Sequence, residues 1–166
     1  FRRNKFFSKR KTKEKEIKKM NFEELMLRAV TNAETFKYTA KPNPVVGAIL
    51  CNDNEIISEG YHEIYGSNHA EINAISNARK HQGKKFNNFS ELALVCTLEP
   101  CSHVGKTGSC AEQIVETGIK KVVIGSIDPN PKVAGKGIEI LKKNGIDVTV
   151  GIHEDIIKNQ NKYLSL

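Results

Sequence analysis

His69-Ala70-Glu71, followed by Pro100-Cys101 and then by Cys110, are the residues of this chain best suited to chemistry. One imidazole and two thiols make three ligands for zinc, and three protein ligands leave the fourth tetrahedral position open to water. An open position marks a catalytic zinc, whereas a structural zinc usually takes four protein ligands. Zinc lowers the pKa of bound water to about 7, which readies water for attack at neutral pH. Glu71, two residues beyond the imidazole, is placed to carry protons beside the metal. The residues predict one zinc per chain on His69, Cys101 and Cys110, with Glu71 as acid and base.

These groups come from distant parts of the chain, so a fold must gather them. Residues 21–37 read as a helix, because Phe22, Leu25, Met26, Ala29, Val30 and Ala33 recur at 3- and 4-residue spacing. Lys41-Pro42-Asn43-Pro44 ends that region. Val45 to Leu50 reads as a buried strand, Asn52-Asp53-Asn54 as a hairpin turn, and Glu55 to Glu59 as the returning strand. Helices follow at 69–81, 109–117 and 135–144, the last two ended by Gly118 and Gly145, and a final helix begins near Glu154. Leu92 to Leu98, Lys121 to Ser126 and Asp147 to Ile152 read as strands. Helices and strands alternate in the second half, so the later strands are expected to be parallel and the first two an antiparallel hairpin. The expected architecture is α/β, a five-stranded mixed sheet with helices on both faces. Active sites in such sheets collect at strand C-terminal ends and helix N-termini.

In this scheme His69 and Glu71 begin one helix, Cys101 follows a strand, and Cys110 begins another helix. The positive ends of two helices can then favour thiolates at one point. A simpler reading exists for Glu71: Asn68-His69-Ala70-Glu71 fits a helix N-cap with an acid at the third position, a capping box. Ser109-Cys110-Ala111-Glu112 fits the same pattern, and there capping is the expected role. His-x-Glu with Pro-Cys and a second Cys is, however, the site pattern of the zinc deaminases. Their common form is Pro-Cys-x-x-Cys. Here eight residues separate Cys101 from Cys110, a loop that brings His103 and Lys106 beside the metal. An imidazole and a cation suit a polar, phosphorylated substrate.

The 166 residues suit one domain with a real core, and 39% hydrophobic with 27% charged residues suits a soluble globular protein. No apolar run approaches the roughly 20 residues of a membrane span, and no signal-peptide core is evident. The net charge of +7 is unevenly placed. Residues 1–19 hold ten Lys and Arg against two Glu, which leaves about −1 for the remainder. The basic character belongs to an N-terminal extension, 1–19, which either is solvated or binds nucleic acid by charge. Met20 opens the domain pattern of 20–166 and is a candidate natural start. Two of the four cysteines sit in the metal pattern, so thiolate ligands in a reducing, cytoplasmic setting are expected rather than disulfides. Cys51 and Cys96 lie in apolar runs and are expected to be buried free thiols.

The longer motif Thr97-Leu98-Glu99-Pro100-Cys101-Ser102-His103-Val104-Gly105-Lys106-Thr107, with Cys110, resembles the deaminase domain of the bifunctional riboflavin-biosynthesis proteins. Those join a diaminohydroxyphosphoribosylaminopyrimidine deaminase to a phosphoribosylaminouracil reductase. Asn43-Pro44-Val45-Val46-Gly47-Ala48, Gly60-Tyr61-His62 with Gly66, His69-Ala70-Glu71-Ile72-Asn73-Ala74, and Asp128-Pro129-Asn130-Pro131 with Gly135-Lys136-Gly137 and Gly145-Ile146 resemble the family in the same order. The resemblance spans about residues 20–165. It implies a three-layer α/β/α cytidine-deaminase-like fold, zinc on His69, Cys101 and Cys110, and Glu71 as proton shuttle. It also implies substrate contacts from Asn43, His62, His103, Lys106, Asp128 and Asn130. Two departures stand out. The family carries Thr-Pro-Pro-Cys where this chain has Thr107-Gly108-Ser109-Cys110, which exchanges rigidity for a capping serine. Leu166 falls about where the family's NADPH-dependent reductase domain would begin, so no reduction and no NADPH are expected of this chain. A reductase would be missing or separate, and a homo-oligomer is an open possibility.

The resemblance implies hydrolytic deamination of 2,5-diamino-6-ribosylamino-4(3H)-pyrimidinone 5′-phosphate with release of ammonia. Two other readings fit the metal pattern. A tRNA or nucleoside deaminase shares the chemistry, although the near-neutral domain and the absence of Trp argue against a nucleic-acid surface. A non-catalytic zinc-stabilised domain would be marked by a fourth ligand, which His103 or His62 could supply in the fold, or by loss of the acid, and Glu71 is present.

Overall fold

The computed structural model describes residues 21–81, 89–103 and 108–162. Residues 1–19, and with them the basic extension, lie outside the described residues, as does Lys106. Helix α1 (Phe22–Ala33) starts where the sequence places it, because the Asn21 side chain accepts from the backbone N–H of Glu23 and Glu24. It ends at Ala33 and tightens into a 3₁₀ turn, Glu34–Phe36, so the single helix expected over 21–37 has two parts. Strand β1 (Gly47–Cys51) begins two residues later than the apolar run suggests. The backbone N–H of Val45 is taken by the Asn161 side chain at 3.0 Å, which leaves it outside the ladder. The turn to β2 (Ile56–Tyr61) is held by Asn52, whose Oδ1 accepts from Asn54 and Glu55, both at 2.8 Å.

Helix α2 (Ala70–His81), β3 (Ala93–Leu98), α3 (Cys110–Thr117), β4 (Lys121–Ser126), α4 (Lys136–Lys143), β5 (Asp147–Val150) and α5 (Glu154–Gln160) follow in chain order. Strand β5 stops at Val150, short of the expected Ile152, because Gly151 turns to φ 102°. The sheet order is β2-β1-β3-β4-β5. Strand β1 is antiparallel to both neighbours, and β3, β4 and β5 are parallel. The sheet is therefore mixed and five-stranded, as the alternation of elements implies.

Period-2 alternation sends strand side chains to two separate cores. Ala48, Leu50, Leu94, Cys96, Val122 and Ile124 face α2, α3 and α4, which contribute Ala74, Ile114 and Leu141. Ile49, Cys51, Val95 and Val123 face α1 and α5, which contribute Met26, Ala29 and Ile157. Each fully buried aliphatic side chain contributes about 1.5–3 kcal/mol, so both helix layers are bound to the sheet mainly by these contacts. Three layers, α/β/α, result. Cys51 and Cys96 are buried free thiols, as their apolar surroundings suggest. No helix among the described residues is long and apolar enough to cross a membrane.

Candidate active site

One end of the sheet carries every site residue that the sequence singles out within the described residues. Strand β3 ends there and delivers Glu99, Pro100 and Cys101, while β4 ends there and leads to Asp128 and Asn130. Strand β1 runs antiparallel to β3, so its start, with Asn43 just before it, lies at the same end. The β2 strand finishes beside that start, Tyr61 opposite Gly47, and presents His62. Helices α2 and α3 begin there too, with His69 immediately before one and Cys110 opening the other. The close seat of α2 on β2 depends on Gly60. A Cβ at that position would overlap the backbone N of Ala74 and O of Ala70.

The ligand atoms of His69, Cys101 and Cys110 lie within 4.8 Å of one another and could hold a metal ion. Cys110 Sγ is 3.2 Å from His69 Nδ1, and the Cys110 N–H donates to Cys101 Sγ at 3.4 Å. The Cys101 thiol is pulled down to about 4, first by the hydrogen bond from the Cys110 thiol and then by His69 and the Cys110 backbone N–H. Cys110 is raised in turn, since it supplies the proton of that shared bond. His69 is raised, chiefly by its hydrogen bond with Cys101. Thiols and imidazole so arranged can give up their protons to solvent and hold a cation at their centre instead, the donor chemistry of a zinc site.

Glu71 is 3% exposed, and its Oε2 is fully buried with no hydrogen-bond partner. Burial pushes its carboxyl above the usual carboxylate range. Oε2 makes no capping bond. An orphaned buried oxygen costs about 1–3 kcal/mol unless a partner arrives. A water at the open position of a three-ligand zinc would be such a partner, so the residues present fit the metal.

Around this point lies a cavity of about 930 Å³. Its walls include Asn43, His62, His69, Glu71, Cys101, His103, Asp128 and Asn130, which brings together all the expected contact residues within the described part of the chain. His62 is buried. Its Nδ1 faces the carbonyl of Asn68 at 3.2 Å and its Nε2 faces Asn43 Nδ2 at 3.1 Å. Desolvation lowers its pKa, in keeping with a ring that donates on one side and accepts on the other. Neither His62 nor His103 belongs to the metal-competent group. Asp128 Oδ1 accepts from Asn130 N–H, and Asn130 Oδ1 from Lys132 N–H, so both also shape the turn they occupy.

Four contributors were not among the expected site residues. Glu99 is buried, and its carboxylate accepts from the backbone N–H groups of Asp128 (3.1 Å), Gly135 (2.9 Å) and Ile138 (3.1 Å). It ties the residue before Pro100-Cys101 to the whole Asp128–Gly135 loop. Asn161 fixes Val45 beside Asn43, and Lys158 and Lys162 join the cavity wall from the last helix. Only Glu99 left a sequence signal, as an acid between an apolar strand and Pro-Cys. Before Cys110, Ser109 forms the expected capping box with Glu112. Gly108 sits at φ 85°, which a proline cannot adopt. The Gly-Ser pair therefore takes a path that the family's Pro-Pro does not.

Residues 19–126 match the family described as the cytidine and deoxycytidylate deaminase zinc-binding region. The chain belongs to this deaminase family. Within it, the chain is 43% identical over 137 residues to the diaminohydroxyphosphoribosylamino-pyrimidine deaminase of Buchnera aphidicola subsp. Schizaphis graminum. That match covers 82% of this chain and 88% of the relative. Among solved structures, it resembles the Thermotoga maritima diaminohydroxyphosphoribosylaminopyrimidine deaminase/5-amino-6-(5-phosphoribosylamino)uracil reductase. The two are 42% identical with a TM-score of 0.78, over 87% of this chain and 40% of that one. RibD of Acinetobacter baumannii is 41% identical with a TM-score of 0.77, over 87% of this chain and 39% of the other. The chain thus spans about two fifths of these bifunctional proteins and most of the Buchnera one. The likeness also carries the cytidine-deaminase-like α/β/α fold.

Proposed function

We propose that this deaminase removes the ring amine at carbon 2 of 2,5-diamino-6-ribosylamino-4(3H)-pyrimidinone 5′-phosphate, a step of riboflavin biosynthesis, and releases ammonia. The relatives' names supply the substrate. The observation that carries the chemistry is the buried, unpartnered Glu71 Oε2 beside His69, Cys101 and Cys110 on a cavity wall. His69 Nδ1 and the sulfurs of Cys101 and Cys110 would hold one zinc ion per chain. When bound, zinc supplies the Lewis acidity that readies a water for attack at neutral pH.

Glu71 accepts the proton of the attacking water at Oε2. The same oxygen then passes that proton to the ring nitrogen. A second proton passes through the same oxygen to the departing amine. One C–O bond forms, one C–N bond breaks, and water is consumed as ammonia leaves. Asn43, held by His62 at 3.1 Å, would offer its remaining amide N–H and its Oδ1 to the ring edge. Asp128, Asn130 and His103 line the same cavity. Lys106, outside the described residues, is proposed to reach the polar substituents. Deamination so built needs no NADPH, and the reduction would be catalysed by a domain or partner outside residues 20–166. A reducing, cytoplasmic setting would keep Cys101 and Cys110 as metal ligands.

The test is ammonia release by the zinc-loaded protein given the diaminopyrimidinone phosphate, with cytidine and a tRNA anticodon substrate in parallel. Turnover of the first alone is the expected result. Turnover of either of the others in its place would overturn the substrate assignment while keeping the deaminase.

A further inference from the structure

The cavity does not end at the metal-competent residues. It reaches the last helix, where Ile157, Lys158, Asn161 and Lys162 complete its wall. Among the described residues, Lys158 and Lys162 are the only lysines or arginines that line it. We propose that Lys158 and Lys162 form a phosphate-binding subsite, selecting a phosphate monoester on the substrate. This inference rests on the deamination reading above for the substrate that carries the phosphate.

The two lysines are at i and i+4, about one helical turn apart, so they stand on the same side of the helix and its extension. That side is fixed. Ile157 is fully buried, Gln160 Nε2 donates to the Val30 carbonyl at 2.8 Å and to Glu34 at 2.9 Å, and Asn161 Oδ1 accepts from Val45 N–H. The cations are therefore carried on a rigid wall and not on a free tail. Their flexible ammonium heads act as point charges, which suits a phosphate dianion.

The acids in reach also matter. Glu71 is buried, and Glu99 spends its oxygens on three backbone N–H groups. Asp128 lines the cavity and would repel a dianion placed near it. A phosphorylated substrate is thus expected to point its phosphate toward the last helix. Lys158 holds Glu154 at 2.9 Å, an exposed i,i+4 pair. Exposed pairs of this kind are weak and re-form readily, so a phosphate can compete for Lys158. Lys162 has no ion-pair partner among the described residues.

The test compares wild type, K158A/K162A and K158R/K162R on the diaminopyrimidinone with and without its 5′-phosphate. Wild type is expected to prefer the phosphorylated form. The alanine pair is expected to lose that preference through a rise in KM of about tenfold or more, at nearly constant kcat, the scale of lost charge-assisted contacts. The arginine pair should restore much of it. Calorimetry with ribose 5-phosphate on the zinc-loaded protein reads the subsite without turnover: binding by wild type and its loss in the alanine pair is the expected result. No binding by wild type, or unchanged binding in the alanine pair, overturns the subsite. If wild type deaminates neither pyrimidinone yet the calorimetry holds, the substrate assignment fails and the phosphate subsite stands.

Discussion

Glu71 combines two properties that seldom coexist without a reason. It is an ionisable group with almost no exposure, and one of its oxygens has no partner. As a purely structural residue it would be a liability, since a buried polar atom without a hydrogen bond costs stability. Its carboxyl is raised by burial, so it holds a proton at pH values where an exposed glutamate would not. Replacing Glu71 with Gln keeps the shape, removes the proton carrier, and leaves the three ligands in place. The E71Q variant is expected to retain zinc at the wild-type ratio while kcat falls by about 10²–10⁴. Metal analysis alongside ammonia release reads both quantities, and near-normal turnover would remove Glu71 from the shuttle role. The contrasting substitution is Cys101→Ser, which takes away the thiol that ionises most easily in the cluster. It should lose zinc and activity together.

The elements matter because each carries a piece of the site to one end of the sheet. Helix α2 can deliver His69 and Glu71 only while it lies directly on β2, and Gly60 permits that contact. A G60A change puts a Cβ into the backbone of Ala70 and Ala74, neither of which can turn aside. It is expected to cost about 1–3 kcal/mol in urea unfolding and to weaken zinc binding as α2 shifts. Glu99 does for the Asp128–Gly135 loop what Gly60 does for α2. E99Q replaces an acceptor with a donor facing backbone N–H groups, so KM should rise more than kcat falls, with zinc retained. Equal KM values for E99Q and wild type would sink that role. At the opposite face, Arg28 of α1 grips Glu59 of β2 at 2.6 and 3.1 Å. Glu59 is held below the usual carboxylate range, chiefly by that hydrogen bond. A depressed folded pKa means stability that is present above the unfolded value, about 4.3, and is lost as pH falls through the folded value. Both side chains are partly exposed, so R28M should cost only about 0.5–1 kcal/mol at pH 7. That gap should close below about pH 4.

At the scale of the molecule, the strands, helices and mixed sheet were legible because local signals agreed: apolar runs for strands, helical spacing of apolar residues, Ser109 at a helix start, glycine at helix ends. The pairing of β1 with β3 was not, since register across 40 residues leaves no local mark. For the same reason the roles of Glu99, Asn161 and the last helix stayed hidden, while His69, Glu71, Cys101 and Cys110 could be read from their chemistry. The residues proposed to hold zinc also belong to three separate elements: the start of α2, the end of β3 and the start of α3. An ion that bridges all three binds only the folded chain, so it must stabilise the fold by mass action. Zinc at about a thousandfold excess over its Kd should add about 4 kcal/mol, or roughly 10 °C in Tm. Stripping the metal with a chelator should lower Tm by that amount, and added zinc should restore it. The shift alone does not separate a catalytic zinc from a structural one. E71Q does: if the metal serves catalysis through an open position, the variant keeps the full zinc-dependent Tm shift and loses turnover. If Glu71 instead supports a closed structural site, the same variant shrinks the shift, and the two roles are told apart in one calorimeter.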